Sequence, residues 1–112
     1  VYGDGTTSRD YTYIDDIVQG IMGAINWVNT SEKKFGVFNL GGDEPVTLTR
    51  MIETIEKVLG KNAKIDRLPM QPGDVNRTCA DISLSTKELS YKPETTFEEG
   101  IQKFVEWYKL QN

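Results

Sequence analysis

The sequence predicts an α/β fold with few short strands and three main helices. Short segments of β-branched and aromatic residues alternate with segments of helical periodicity, and glycine- or proline-rich loops separate them. Such an alternation indicates helices packed on strands rather than a helical bundle. The chain has 112 residues, of which 38% are hydrophobic and 27% charged, so it is a globular chain with room for one domain or part of one.

The first part of the chain predicts a loop, a strand and a helix. Residues 1–9 are rich in Gly, Thr and Asp and form the loop, and the four β-branched and aromatic residues 11–14 are typical of a short strand. Apolar residues then recur at helical spacing, which predicts a helix over 15–29 with its apolar stripe in the core. Gly20 and Gly23 each cost this helix about 1 kcal/mol relative to alanine. We therefore expect it to pack closely on another backbone.

The middle of the chain predicts a buried strand and a second helix. A polar turn at 31–34 precedes a mostly apolar run at 35–40, which is typical of a strand covered on both faces. We expect this chain to supply only part of that cover. An amphipathic helix over 48–59 follows, with Thr47 as its N-cap and Gly60 as its left-handed terminator.

The last part of the chain predicts a short strand and two further helices. Residues 65–68 form the strand, and 69–74 are irregular because their two prolines cannot donate to a ladder. A short helix that ends at Leu89 follows, with Ser83 or Ser85 as its cap. The Thr-x-x-Glu sequence at 96–99 is a capping box that opens a last amphipathic helix, which reaches at least to Tyr108.

Charge and composition exclude several classes of protein. Thirteen basic and 17 acidic residues give a net charge of −4, so the chain is predicted to bind neither nucleic acid nor an anionic membrane surface. Histidine is absent, and Cys79 is the only cysteine, which excludes internal disulfides and fits a cytoplasmic location. No signal peptide and no apolar run of ~20 residues are visible. Because Val1 already lies in a loop, we expect a piece of a longer protein, cut at its front.

Arg9 is a candidate phosphate-binding residue. It lies between a flexible glycine-containing loop and a predicted strand. A fixed guanidinium beside free backbone N–H groups is a good receptor for a phosphate or diphosphate. The alternative is an ion pair with Asp4 or Asp10, and the spacing alone does not separate the two. Arg77, which follows a Pro-Gly-Asp turn, has the same two interpretations.

A second candidate site lies at the turn that contains Gln71, Gly73 and Asp74. A carboxylate on a tight turn can accept hydrogen bonds from two vicinal hydroxyls, which is the chemistry of ribose recognition. The alternative, which residue types alone favour, is that Asp74 satisfies its own backbone.

The residues alone predict a binding surface without a reaction centre. The acidic pairs at 15–16 and 98–99 lie at predicted helix starts, where carboxylates favour the helix dipole, so we assign them structural roles. No Gly-rich dinucleotide motif follows a strand, no Tyr-x-x-x-Lys pair occurs, and no His can pair with a Ser or Cys nucleophile. A protein-interaction module with no nucleotide role is therefore one open interpretation.

Six segments nevertheless match one family in the same order. They are YGDGTTSRDYTYIDD at 2–16, FNLG at 38–41, LPMQPGDV at 68–75, AD at 80–81, YKPETTFEEG at 91–100 and FVEWY at 104–108. Together they resemble the C-terminal third of extended short-chain dehydrogenase/reductases that act as nucleotide-sugar epimerases. The PMQPGDV string is most similar to UDP-glucuronate 4-epimerases, since UDP-glucose 4-epimerases usually carry Arg at the position of Gln71.

The resemblance implies that residues 1–112 are the substrate-binding portion of a Rossmann-type enzyme, with NAD held by an N-terminal domain that is absent here. The full-length protein would be an isomerase that interconverts UDP-glucuronate and UDP-galacturonate through a 4-keto intermediate. It would also be a homo-oligomer, and this portion would be inactive by itself.

The resemblance also implies a role for individual residues. Arg9 would hold the diphosphate, Asp74 would bind the ribose, and Tyr11 would line the nucleotide pocket. Val46 would lie near the uridine and Gln71 beside the ribose, and Arg77 departs from the small residue of many relatives. A dTDP- or UDP-sugar dehydratase, or a UDP-glucose 4-epimerase, is the alternative on the same scaffold.

Overall fold

The regular structure consists of four helices and one short antiparallel sheet in the computed structural model, which describes residues 1–33 and 35–111. In chain order the elements are β1 (Ser8–Arg9), α1 (Ile14–Thr30), β2 (Val46–Thr47), α2 (Leu48–Leu59), α3 (Ser83–Leu89) and α4 (Phe97–Leu110). The predicted α/β class is confirmed, and α1, α2 and α4 are the three main helices that the periodicity indicated. None of the helices in this part of the chain combines the length and the apolar character that crossing a bilayer needs.

The caps of α2 and α4 are the predicted ones. The Thr47 hydroxyl accepts a hydrogen bond from the backbone N–H of Arg50, and Gly60 ends α2 in the left-handed conformation at φ 65°. The Thr96 hydroxyl accepts from the N–H of Glu99 at 3.2 Å. These side chains satisfy backbone groups that have no partner within the helix. The predicted serine cap of α3 is wrong, because the carboxylate of Asp81 accepts the Ser83 N–H instead.

The close packing of α1 on another backbone is confirmed at Gly23, whereas Gly20 packs against the side chain of Leu40. A Cβ at Gly20 would lie 2.5 Å from Leu40 Cδ2, and a Cβ at Gly23 would lie 2.9 Å from the Leu89 carbonyl oxygen. Both distances are too short for a side chain, so the two glycines allow α1 to approach α3 and the 38–41 segment. This contact encloses the main core, which contains Trp27, Ile82, Leu89 and Tyr91.

The apolar stripe of α1 is exposed, contrary to the prediction. Ile14 is 66% and Met22 60% exposed, while the buried residues of the helix are Asp16, Gly20 and Trp27. Close packing at the two glycines turns the face with Gly20 and Trp27 towards the core. The described residues supply no second layer to cover the opposite, apolar face. The Asp16 carboxylate accepts the N–H groups of Glu94 and Thr95, which confirms its structural role.

The three predicted strands do not form ladders among the described residues. Residues 11–13 have no regular structure and Ile14 already belongs to α1, 35–40 has no ladder partner, and 65–68 contributes one bridge between Leu68 and Tyr2. A strand needs a backbone partner, whereas a helix bonds within itself. Phe35 is accordingly 83% exposed. The predicted turn at 31–34 follows α1, and its last residue, Lys34, lies outside the described residues.

The molecule is flat, with extents of 54 × 37 × 19 Å. Its radius of gyration is 17.0 Å, against about 13 Å for a compact domain of 100 residues. One half consists of α1 and α3, and the other of α2 packed on α4 with Val46 and Val105 buried. The small sheet of β1 and β2 lies beside α2 and positions the candidate site.

Candidate functional site

Strand β1 lies between two other chain segments, which fixes the backbone of Arg9. On one side it pairs antiparallel with β2, where Arg9 faces Val46. On the other side the Ser8 N–H donates to the Asn76 carbonyl at 2.8 Å, and the Ser8 carbonyl accepts from Thr78 at 3.1 Å. The prediction of a loop over 1–9 is wrong at this point, because Arg9 belongs to the strand.

An open cavity of about 290 Å³ lies beside β1. It is lined by Val1, Tyr2, Thr7, Arg9, Tyr11, Leu48, Met70 and Asp74. Three of the predicted site residues, Arg9, Tyr11 and Asp74, therefore meet in one place although 65 positions separate the first from the last. The volume is near the lower end of the range for small-molecule sites, which is about 300–1,000 Å³.

Arg9 makes no ion pair with Asp4 or Asp10 within residues 1–33 and 35–111. Asp4 accepts the N–H and the hydroxyl of Thr6, which lowers the pKa of its carboxyl, and Asp10 accepts three backbone N–H groups. The guanidinium of Arg9 donates one bond, to the Ser8 carbonyl at 2.8 Å. A guanidinium has five N–H donors, so most of them remain for a ligand in the cavity.

Asp74 ends a tight turn whose backbone is satisfied without its side chain. Its N–H donates to the Gln71 carbonyl at 3.2 Å, and Gly73 between them has a φ of 87°. Pro72 followed by a glycine with positive φ is typical of a type II turn. No donor in the described part of the chain reaches the Asp74 carboxylate, so the alternative of a self-satisfied Asx turn does not describe this residue.

The other three predicted residues lie around the cavity rather than in its lining. Gln71 and Arg77 are exposed, and Arg77 forms a single parallel bridge with Ser8. Val46 is buried, with 1% of its surface exposed, and pairs with Arg9 in the antiparallel sheet. A binding role for these three stays a prediction.

Sequence reasoning missed most of the apolar wall of the cavity. Tyr2, Leu48 and Met70 reach it from three separate segments, and nothing in their spacing marks them. The one available signal was the position of Met70 inside the PMQPGDV string. Gly3 lies against it, since a Cβ there would be 3.1 Å from the Met70 sulfur.

The N-terminus of α2, which adjoins the cavity at Leu48, is not available to an anion. The Leu48 N–H donates to the Thr7 carbonyl, the Thr49 N–H to the Gly5 carbonyl, and the next N–H to the Thr47 hydroxyl. Helix N-termini bind phosphates through free N–H groups. Arg9 is therefore the cationic group that the cavity offers.

The described residues fit neither a metal nor a dinucleotide. They contain no group of three or more His, Cys, Asp or Glu side chains that could hold a metal ion. The two-residue strands β1 and β2 are antiparallel, and no parallel strand leads through a glycine-rich turn into a helix in this part of the chain. That arrangement is what holds the pyrophosphate of NAD.

A model of the family described as GDP-mannose 4,6 dehydratase matches residues 1–104. The chain is 50% identical over its whole length to an uncharacterized protein of Methanocaldococcus jannaschii, of which it covers 33%. It is 41% identical to a probable UDP-glucuronate 4-epimerase of Rhizobium meliloti, with 96% of this chain and 36% of that protein covered. The chain thus spans about a third of the length of these relatives.

Solved structures share the fold. The whole chain superposes, with a TM-score of 0.88 and 34% identity, on 35% of Bacillus cereus UDP-glucuronic acid 4-epimerase in complex with UDP-glucuronic acid and NAD. It also superposes, with a TM-score of 0.86 and 32% identity, on 34% of a UDP-N-acetylglucosamine 4-epimerase from Methanobrevibacter ruminantium in complex with UDP-N-acetylmuramic acid.

Proposed function

Because this chain belongs to the GDP-mannose 4,6 dehydratase family, we propose that it is the substrate-binding part of a UDP-glucuronate 4-epimerase. The cavity beside β1 binds the nucleoside diphosphate of the substrate. The whole protein interconverts UDP-glucuronate and UDP-galacturonate. Relatives named UDP-glucuronate 4-epimerase match nearly all of this chain, which supports this choice among the sugars.

The observation that carries the proposal is the meeting of Arg9 and Asp74 in one cavity. The two side chains come from β1 and from the turn at 71–74, and neither is neutralised by an ion pair with a described residue. One supplies several N–H donors and the other two acceptor oxygens. A nucleoside diphosphate needs this combination, since its phosphates accept and its ribose hydroxyls donate.

Four of the lining residues then have a role in holding the substrate. Arg9 donates to the diphosphate, and Asp74 accepts from the ribose hydroxyls. Tyr11 and Met70 cover apolar surface of the nucleotide. This chain binds and orients the sugar nucleotide, and it supplies no group for the chemical step.

NAD and the reacting groups belong to a part of the protein outside these 112 residues. The absence of a dinucleotide-binding turn among the described residues supports this division. The solved complex of the Bacillus cereus UDP-glucuronic acid 4-epimerase holds UDP-glucuronic acid together with NAD. We assign the same pair of ligands to the complete protein, and we expect it to be a cytoplasmic homo-oligomer.

Product analysis tests the proposed activity. The full-length protein is incubated with UDP-glucuronate, and the sugar nucleotides are separated and identified. We expect UDP-galacturonate to accumulate until the two epimers reach equilibrium. Unchanged UDP-glucuronate, with turnover of another sugar nucleotide, would overturn the assignment.

A 4,6-dehydratase is the second candidate, favoured by the description of the family model that matches residues 1–104. It is separated from the epimerase by the product, because dehydration yields a 4-keto-6-deoxy sugar and epimerisation yields an isomer of unchanged mass. Mass spectrometry of the product from UDP-glucose or dTDP-glucose decides between them. A protein-interaction module is disfavoured by the family membership of the chain.

A further inference from the structure

The side chain of Asp10 joins three parts of the chain. Its Oδ1 accepts the Gly42 N–H at 2.8 Å, and its Oδ2 accepts the N–H groups of Asp43 at 3.2 Å and Ala80 at 3.1 Å. Hydrogen bonds from N–H groups to an ionised carboxylate are roughly twice as strong as those between neutral groups. The residue that follows β1 is thereby bound to two segments that lie 32 and 70 positions away.

The backbone of Gly41 and Gly42 approaches the Asp10 carboxylate so closely that neither residue has room for a side chain. A Cβ at Gly41 would lie 2.7 Å from Asp10 Oδ2 and 2.6 Å from the Cβ of Ala80. A Cβ at Gly42 would lie 2.9 Å from Asp10 Oδ1. Any side chain at these positions would push the carboxylate out of place. The close approach of the loop backbone therefore requires glycine at both.

Asp10 lies between Arg9 and Tyr11, which both line the cavity. The ladder with β2 ends at Arg9, and residues 10–13 have no regular structure before α1 begins. The hydrogen bonds of Asp10 fix the backbone in this interval. Since Arg9 and Tyr11 both line the cavity, this anchor holds the backbone next to both of them, in addition to the ladder that pairs Arg9 with Val46.

We propose that Asp10 is a positioning residue for the nucleotide site. Its hydrogen bonds hold the backbone of the neighbouring residues Arg9 and Tyr11 in place. The inference rests on the proposed function of the cavity. Asp10 contacts no ligand in this account. It acts through Arg9 and, to a smaller extent, through Tyr11.

A purely electrostatic role and a positioning role of Asp10 predict opposite effects of Asp10→Asn on the affinity for UDP. The substitution removes a negative charge next to an anion site, so charge alone predicts tighter binding of UDP. An asparagine amide offers one acceptor oxygen, and its NH₂ group would face a backbone N–H. At least one of the three hydrogen bonds is lost, and positioning therefore predicts weaker binding.

The test is a double-mutant cycle in the full-length protein, with the affinity for UDP measured by calorimetry. Asp10→Asn is expected to weaken binding about tenfold, which corresponds to a loss of about 1.4 kcal/mol in the free energy of binding. Combined with Arg9→Ala, it is expected to add no more than about twofold, because an anchor for Arg9 has nothing left to position. Additive losses would indicate a merely structural role.

Asp16→Asn is the matched control. Asp16 also accepts two backbone N–H groups, at 3.0 and 3.1 Å, and does not line the cavity. It is expected to lower the midpoint of thermal unfolding and to leave the UDP affinity unchanged. An equal loss of affinity in Asp16→Asn and Asp10→Asn would overturn the proposal.

The outcomes separate this inference from the proposed function. If Arg9→Ala alone leaves UDP binding unchanged, the proposed function fails and the inference fails with it. If Arg9→Ala weakens binding and Asp10→Asn does not, the inference alone is wrong. Should Asp10→Asn not fold, Gly42→Ala replaces it in the same cycle, since the added Cβ displaces the carboxylate and the same tenfold loss, about 1.4 kcal/mol, is expected.

Discussion

At the scale of single residues, the candidate site depends on side chains that the backbone leaves free. The Asp74 N–H bonds to the Gln71 carbonyl, so the turn holds its shape without the carboxylate. Arg9 likewise has a fixed backbone and spends one donor bond on its own strand. The backbone of both residues is therefore fixed by hydrogen bonds, while neither the guanidinium of Arg9 nor the carboxylate of Asp74 forms an ion pair with a described residue.

Replacement of Asp74 tests its assignment to the ribose. Asp74→Asn is expected to weaken UDP binding by about tenfold, because a hydrogen bond to a charged acceptor contributes about 1.5–3 kcal/mol. The loss should be much smaller for 2′-deoxy-UDP, which lacks one of the two hydroxyls. Titration calorimetry of both ligands in the full-length protein measures the difference. An equal loss for both would place Asp74 away from the ribose.

Tyr91 provides a prediction for stability and its pH dependence. Its ring is 1% exposed, its hydroxyl donates to the Gly41 carbonyl at 2.7 Å, and burial, with the carboxylates of Asp16 and Asp10, raises the pKa of the phenol. The folded state therefore favours the neutral phenol, and this contribution is lost as the pH rises beyond the ordinary tyrosine pKa. Tyr91→Phe should lower the free energy of unfolding by about 1 kcal/mol at neutral pH.

Urea denaturation of the wild type and of Tyr91→Phe, in neutral and in strongly alkaline buffer, measures the pH dependence of the free energy of unfolding. The wild type should lose stability between the two conditions by more than Tyr91→Phe does. Equal losses in both proteins would show that the phenol does not titrate with folding.

Residue-level reasoning from the sequence reached the charged half of the site and not the apolar half. Residue type made Arg9 and Asp74 candidates, but it left Arg9 open and favoured a structural role for Asp74, and only the resemblance to nucleotide-sugar epimerases predicted a ligand role for both. Leu48 and Met70 were not among the candidates, and only the folded chain shows that they face the cavity. The exposed position of Gln71 and the buried one of Val46 were likewise beyond the reach of residue type.

At the scale of elements, close packing decides the role of the glycines in helices. A Cβ added at Gly23 of α1 would lie only 2.9 Å from the Leu89 carbonyl oxygen. A Cβ added at Gly100 of α4 would lie 3.5 Å from the ring of Tyr13, which is an ordinary van der Waals distance. The two positions carry the same residue in the same type of element. They differ in the space that surrounds them.

This difference predicts opposite results for one substitution. Gly23→Ala should destabilise by about 1–3 kcal/mol, because overpacking outweighs the gain of about 1 kcal/mol in helix propensity. Gly100→Ala has room and should be neutral or stabilising. Thermal unfolding of both variants measures this. A higher unfolding midpoint for Gly23→Ala would contradict the packing described for α1 and α3.

Helices were predicted well and strands poorly, for a physical reason. The caps at Thr47, Gly60 and Thr96 and the helical periodicity are local, so the sequence carries them within a few residues. The strand at 35–40 needs a neighbour that no described segment provides. The ladder that does form joins Ser8–Arg9 to Val46–Thr47 and depends on tertiary contact rather than on residue type.

At the scale of the whole molecule, many large apolar side chains are exposed. One outer face carries the stripe of α1, and α4 carries Phe104, Trp107 and Leu110, which are 56%, 55% and 83% exposed. An apolar groove of about 440 Å³ runs along α1 beside Phe38 and Leu40. Large apolar patches of this kind mark interaction surfaces or lead to aggregation.

The 112-residue chain produced by itself is therefore expected to self-associate. Contact between copies would cover α1 and the 35–40 segment, which the described residues leave open. Sedimentation velocity over a range of concentrations, with dye binding as a probe of apolar surface, measures this. A monodisperse monomer that binds no dye would contradict the exposure described here. Val18→Lys with Ile25→Lys, both on the exposed stripe, should reduce the association.

The central claim is that Arg9 binds the diphosphate of a nucleotide in the cavity beside β1. Its most direct test is the affinity of the full-length protein for UDP, measured by calorimetry for the wild type, Arg9→Ala and Arg67→Ala. Arg67 is a matched control, since it is exposed and does not line the cavity. We expect Arg9→Ala to weaken binding by roughly 10–100-fold, the equivalent of about 1.5–3 kcal/mol, and Arg67→Ala to bind like the wild type. Unchanged affinity in Arg9→Ala, or equal losses in both variants, would contradict the account.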